Sequence, residues 1–212
     1  MGTLVLIRHG QSIWNAQNRF TGWVDVDLSE RGIEEAKDAG KLLENVQFDA
    51  VFASGLIRAQ RTADIILEIN KSWDGERVHH DSRLNERNYG DLQGRNKQEC
   101  REQFGDEQVR LWRRSFKGQP PGGESLEMTA KRALPCLFED IVPLLEVGET
   151  VLVAAHGNSL RSLVMEIEGL SPEAIVEREI PTGTPMAYSL TSGVWSRFCL
   201  LYTSPSPRDA ES

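Results

Sequence analysis

The chain has 212 residues, 24 Lys and Arg against 32 Asp and Glu, and a formal net charge of −8. That length suits one domain with a sizeable core, and 39% hydrophobic against 26% charged residues suits a folded chain, not a disordered one. Net acidity argues against a nucleic-acid binder, which needs a basic face. No apolar run approaches the ~18–20 residues of a membrane span. Arg8 cuts the first apolar stretch too early for a signal peptide, and three scattered cysteines form no CxxC pattern. The expectation is a cytoplasmic protein with no nucleic-acid or membrane partner, no disulfide framework and no zinc site.

Residues 3–7 (TLVLI) form a continuous apolar run, the pattern of a strand buried on both faces. Residues 11–27 are mixed and predict a long loop. Ser29 predicts the N-cap of a helix over about 30–44, with Ile33, Ala36, Gly40 and Leu43 on one stripe. Residues 48–53 predict a second buried strand, followed by a helix over about 56–69. A weak strand pattern covers 76–84, and 85–117 is polar and partly helical. The run GQPPGGE at 118–124 must be loop. Ser125 predicts the cap of a long helix to about Leu145, kinked or broken at Pro135. Residues 150–155 predict a third buried strand, then a helix over about 159–168 that Gly169 stops. Residues 187–191 predict a last strand. From about Tyr202 the chain is Ser/Pro-rich and aperiodic, which predicts a disordered tail after a catalytic domain of residues 1–201. Strands alternating with amphipathic helices predict an α/β fold with a mainly parallel central sheet and helices on both faces.

One internal echo carries the chemistry. The first strand ends in Arg8-His9-Gly10-Gln11-Ser12 and the third in His156-Gly157-Asn158-Ser159. Parallel sheets bind ligands at the carboxyl ends of their strands. If these two strands are neighbours, two histidines face each other there. Glycines beside them would let backbone approach a ligand. A lone histidine is more often structural than catalytic, but two of four in matching settings reverse that expectation; His79 and His80 read as surface residues. Neutral imidazole is a competent nucleophile near pH 7. Arg8, and Arg58 at a helix start, suit a phosphate. Phosphoryl transfer to histidine also needs a proton donor, and Glu86 is the best carboxylate candidate, although spacing alone does not single it out among the 32 acidic residues. Residues 95–117 hold seven Lys and Arg against four Asp and Glu, either a solvated face or an anion-collecting lip. Asp25 and Asp27 read as a turn feeding the Ser29 cap, not a metal motif. Neither a GxxxxGK[ST] loop nor GxGxxG occurs.

The blocks LIRHGQS with Trp14-Asn15, NRFTGW with DVDLS, LNERNYG, GDEQV with Trp112-Arg113-Arg114, AHGNSLR and IPTG together resemble the histidine phosphatase superfamily, and within it the cofactor-dependent phosphoglycerate mutase branch. The likeness spans about residues 3–190. It implies interconversion of 3- and 2-phosphoglycerate in glycolysis and gluconeogenesis, primed by 2,3-bisphosphoglycerate and needing no metal. It implies that His9 is the phosphorylated nucleophile, Glu86 the general acid and base, and His156 the stabiliser of the transferring group. Arg8, Ser12, Asn15, Arg58, Gly157 and Asn158 would hold that phosphate. Thr21, Gly22, Tyr89, Lys97, Arg113 and Arg114 would grip the rest of a small anionic substrate. A homo-oligomer is compatible with the resemblance. The chain departs from longer members in having only residues 115–123 before the E-S-L helix start, and in diverging after about residue 191. Both departures bear on water exclusion, hence on the balance between mutase and phosphatase chemistry.

Overall fold

The computed structural model describes residues 1–199; the predicted tail lies outside them. In chain order the elements are β1 (Gly2–Arg8), α1 (Ile13–Ala16), α2 (Glu30–Leu42), β2 (Ala50–Ser54), α3 (Ile57–Ile69), β3 (Val78–Asp81), α4 (Lys97–Phe104) and α5 (Asp106–Arg114). There follow α6 (Leu126–Cys136), α7 (Val142–Glu146), β4 (Thr150–Ala155), α8 (Gly157–Glu168), α9 (Pro172–Glu177), β5 (Met186–Thr191) and β6 (Val194–Phe198). The strands form one sheet in the order β3-β2-β4-β1-β5-β6. The first four of that order run parallel, and β5 and β6 are antiparallel additions.

Strand side chains alternate between faces, and both faces are covered. Leu4, Leu6, Val151 and Val153 pack with Ala133, Leu160 and Leu163 of α6 and α8. Val5, Ile7, Leu152 and Ala154 pack against Ala39, Ala63 and Ile66 of α2 and α3. A smaller cluster of Phe20, Leu92, Cys100, Val109 and Trp112 gathers the polar stretch, with α4 and α5, into a separate wall. No helix among the described residues is long and apolar enough to cross a membrane.

Three local expectations need correction, and a fourth, the break near Pro135, gains its form. The predicted loop 11–27 contains α1, four residues capped by the Ser12 hydroxyl, which accepts from the Asn15 N–H at 3.2 Å. One turn is too short to leave a periodic signal. The predicted helix to Leu145 is interrupted by a π-turn, Leu137–Ile141, between α6 and α7. Pro135 has no N–H to donate, and Pro143 sits where a new helix tolerates it. α8 starts at Gly157, two residues before the expected start, with His156 at its cap position and the Ser159 hydroxyl accepting from the His156 N–H at 3.1 Å. The last strand is half of a hairpin, turned at Ser192 and Gly193, both at positive φ, and completed by the unpredicted β6.

Gly10 has a steric reason different from ligand approach. A Cβ there would sit 2.1 Å from the Gly32 carbonyl oxygen, and one at Gly32 would sit 2.0 Å from that of Gln11. The start of α2 thus packs directly on the chain that leaves β1. Gly32→Ala should destabilise the protein by about 1–3 kcal/mol, the usual range for overpacking. Urea unfolding measures it, and an unchanged midpoint would show that the contact yields.

Candidate active site

β1 and β4 are parallel neighbours in a register that pairs Arg8 with Ala155. The ladder runs one step further, because the His9 N–H donates to the Ala155 carbonyl at 3.0 Å. His9 and His156 therefore leave the sheet side by side, with ring centroids 4.9 Å apart. Both are buried. The His9 Nδ1 lies 2.6 Å from the Gly10 carbonyl oxygen, which can only accept. Nδ1 therefore carries the proton, and Nε2 keeps its lone pair. Burial, then Arg58 and Arg8, hold the His9 imidazole well below its usual range, so it stays neutral near pH 7. Burial, Arg58 and His9 do the same to His156, whose Nε2 is 2.6 Å from Ser54 Oγ.

Beside the histidines lies a pocket of about 170 Å³. Of the residues singled out in sequence, Arg8, His9, Asn15, Thr21, Gly22 and Arg58 line it, as do Glu86, Tyr89, Lys97, Arg113, Arg114, Gly157 and Asn158. Ser12 is not among the lining; it is fully buried as the cap of α1. His156 stands behind the lining, against His9. Arg19, Phe20, Arg161 and Glu179 complete the wall and were not singled out. Arg161 had a signal: it lies one helical turn past Gly157 and Asn158 on α8, so it shares their face. Glu179 had none, being one acidic residue among many.

Glu86 is held by four donors. Its Oε1 accepts from the N–H groups of Arg87 (2.7 Å) and of Asn158 (3.1 Å), the latter at the N-terminus of α8. Its carbonyl accepts from Arg132 Nη2, at 3.2 Å, and from the indole of Trp23. Arg132 also donates to the carbonyls of Ser82, Arg83 and Asn85, and pairs through Nε and Nη2 with Glu124. The predicted Asp25 and Asp27 are structural here: Asp25 caps α3 through the Ile57 N–H, and Asp27 pairs with Arg61.

Arg58 is 1% exposed, and its guanidinium donates to the carbonyls of Gly22 (2.7 Å) and Val24 (3.1 Å). It braces the segment that carries Thr21 and Gly22 as well as facing the pocket. Burial lowers Arg58 to about 10 and Lys97 to about 8. Such cost is expected when cations are gathered for an anion. Arg8 Nε and Thr21 Oγ1 are buried polar atoms without a hydrogen-bond partner. Among the described residues, one trio of metal-type ligands, Asp81, Cys136 and Asp140, lies outside this lining, and Arg83 bridges its two carboxylates. His79 and His80 are exposed on β3, as expected.

Comparison with known proteins gives the family. The sequence model of the histidine phosphatase superfamily (branch 1) matches residues 4–197. A 2,3-bisphosphoglycerate-dependent phosphoglycerate mutase of Nitrobacter hamburgensis is 54% identical over 191 residues, covering 89% of this chain and 92% of that protein. The protein of the same name from Chlamydia muridarum is 45% identical over 225 aligned positions, covering 95% of this chain and all of its own. Among solved structures, Bacillus stearothermophilus YhfR superposes with a TM-score of 0.82 at 29% identity, covering 93% of this chain and 95% of its own. The chain therefore belongs to branch 1 of the histidine phosphatase superfamily and, within it, to the 2,3-bisphosphoglycerate-dependent phosphoglycerate mutase family.

Proposed function

We propose that this chain interconverts 3- and 2-phosphoglycerate by way of a phosphohistidine at His9. The observation that carries the reading is the neutral His9 imidazole, its Nδ1 proton fixed on the Gly10 carbonyl, facing a pocket rich in arginine. The pocket suits a primer with two phosphates: seven cationic side chains line it against two carboxylates, and Arg8 Nε and Thr21 Oγ1 await acceptors or donors. Bound there, 2,3-bisphosphoglycerate would supply the phosphoryl group that first loads His9. Arg8, Asn15, Arg58, Gly157 and Asn158 would hold the reacting phosphate. Thr21, Gly22, Tyr89, Lys97, Arg113 and Arg114 would hold the glycerate and its carboxylate.

The lone pair on His9 Nε2 attacks phosphorus. The P–N bond forms as the P–O bond breaks, and the leaving oxygen takes its proton from Glu86. A bound monophosphoglycerate then presents its free hydroxyl to the phosphohistidine: that oxygen gives its proton to Glu86 and takes the phosphoryl group as the P–N bond breaks, and the bisphosphoglycerate so formed reorients and reloads His9 from its other phosphate, Glu86 returning the proton to the oxygen released. Charge spread over the transferring group is met by Arg8, Arg58 and the neutral His156. No metal has a part in these steps.

Three outcomes check this. Incubation with labelled 2,3-bisphosphoglycerate should give an acid-labile, base-stable phosphoenzyme that His9→Ala lacks, and wild type should interconvert the two phosphoglycerates faster than it frees phosphate. Equal labelling of His9→Ala, or phosphate release outrunning interconversion, overturns the reading. Glu86→Gln should lower kcat by about 10²–10⁴-fold with a much smaller change in KM, the range for losing general acid–base help; steady-state kinetics decide. The pH profile of kcat/KM should stay flat through pH 6.5, because neutral His9 persists below its usual range, and should fall above about 8 as Lys97 loses its charge. Lys97→Arg should remove the alkaline fall.

A further inference from the structure

The reaction uses one of the two carboxylates in the pocket. Glu86 has a proton to move; Glu179 has no such part, yet it lines a pocket that collects anions. Its Oε1 lies 2.8 Å from Arg114 Nη2, with side-chain exposures of 71% and 32%, and Arg114 is its one ion-pair partner among the described residues. Burial alone would raise this carboxyl, but Arg114, then Arg161 and Arg8, outweigh it and hold it below the usual range.

The carboxylate is not needed to hold its own segment. Arg161 Nε takes the Arg178 carbonyl at 2.9 Å, Arg8 Nη1 takes the Ile180 carbonyl at 2.8 Å, and the Gly183 N–H donates to the Arg8 carbonyl at 2.9 Å. The chain on either side of Glu179 is thus tied down through its backbone. The surroundings of the two groups also differ. Arg8 acts on both, but Arg58 is the chief cation beside His9, whereas Arg114 and Arg161 are the chief cations beside Glu179.

We infer that Glu179 is a displaceable counter-ion that occupies Arg114 until an anionic group of the ligand replaces it, so that it sets the affinity and selectivity of the part of the pocket around Arg114. The inference rests on the proposed function, which supplies a ligand anionic at both ends. Such a ligand must break the Arg114 pair and come up beside a second negative charge, and each effect weakens its binding. A single small anion held at the His9 end meets neither to the same degree. Glu179 therefore favours release of product and disfavours retention of long polyanions.

Calorimetry on the full chain tests this with two probes, 3-phosphoglycerate and inorganic phosphate. Glu179→Gln should tighten 3-phosphoglycerate by about three- to tenfold, the scale of one screened pair plus one like-charge repulsion. Inorganic phosphate should move by less than twofold. Glu179→Ala should move the same way, Glu179→Asp should stay near wild type, and all should keep the wild-type melting temperature. Unchanged or weaker 3-phosphoglycerate binding in both Glu179→Gln and Glu179→Ala overturns the inference, as does equal tightening of both probes. A wild type that binds and turns over 3-phosphoglycerate while these variants fail to tighten sinks the inference alone. A wild type that does not bind it sinks the functional reading and the inference with it.

Discussion

The hydrogen-bonded pairing of β1 with β4 is the constraint on which the site depends. Parallel strands cannot join through a short turn, so residues 9 and 156 meet only because two distant apolar runs share a sheet. Their register is fixed twice over. Leu4, Leu6, Val151 and Val153 must face one helical layer, and Val5, Ile7, Leu152 and Ala154 the other. A slip of one residue would turn every one of these side chains to the wrong layer. The same ladder that satisfies the core ends with the His9 N–H on Ala155, so packing energy positions a nucleophile as a by-product.

Charge is the second constraint, and it acts against stability. Arg58, Arg161 and Lys97 are all lowered by burial, which means that each is held in a medium unfavourable to its cation. The protein offsets this locally with backbone carbonyls. Arg58 takes Gly22 and Val24, Arg161 takes Arg178, and Arg8 takes Ile180. Carbonyl partners satisfy donors without neutralising charge, which leaves the field of the guanidinium available to a ligand. Carboxylate partners would cancel it. Glu179 on Arg114 is the exception on this wall, and its high exposure is what makes displacement feasible.

The sequence disclosed the parts whose signal is local. Buried strands show as apolar runs, caps as Ser before a stripe, and the site as a repeated His-Gly at strand ends. Glu86 could not be chosen by spacing alone. Its place depends on Arg132, far along the chain, gathering the carbonyls of Ser82, Arg83, Asn85 and Glu86, and on Asn158 at the start of another helix. Only resemblance to a family could supply that. Arg58 shows a different limit. A helix-start arginine was read as a phosphate contact, but side-chain length lets it brace residues 22 and 24 as well, and a sequence does not say which carbonyls lie in reach. Gly10 was read for its approach to a ligand, whereas the contact that requires it is with Gly32.

Keeping water from a loaded histidine falls to a wall made largely of polar chain. Residues 20–24 are closed down from below by Arg58 and from the side by Trp23, whose indole donates to the Glu86 carbonyl and whose ring lies 5.4 Å from the Arg132 guanidinium. Trp23 is 41% exposed, too much for a core role, and its exposure fits a lid edge. The segment that carries Thr21 and Gly22 is therefore bonded to the same backbone that carries Glu86. In the proposed reaction, the support for the unreactive part of the substrate and the support for the reactive proton would share one hydrogen-bonded frame, a fixed geometry of the kind that lets remote contacts serve the chemical step.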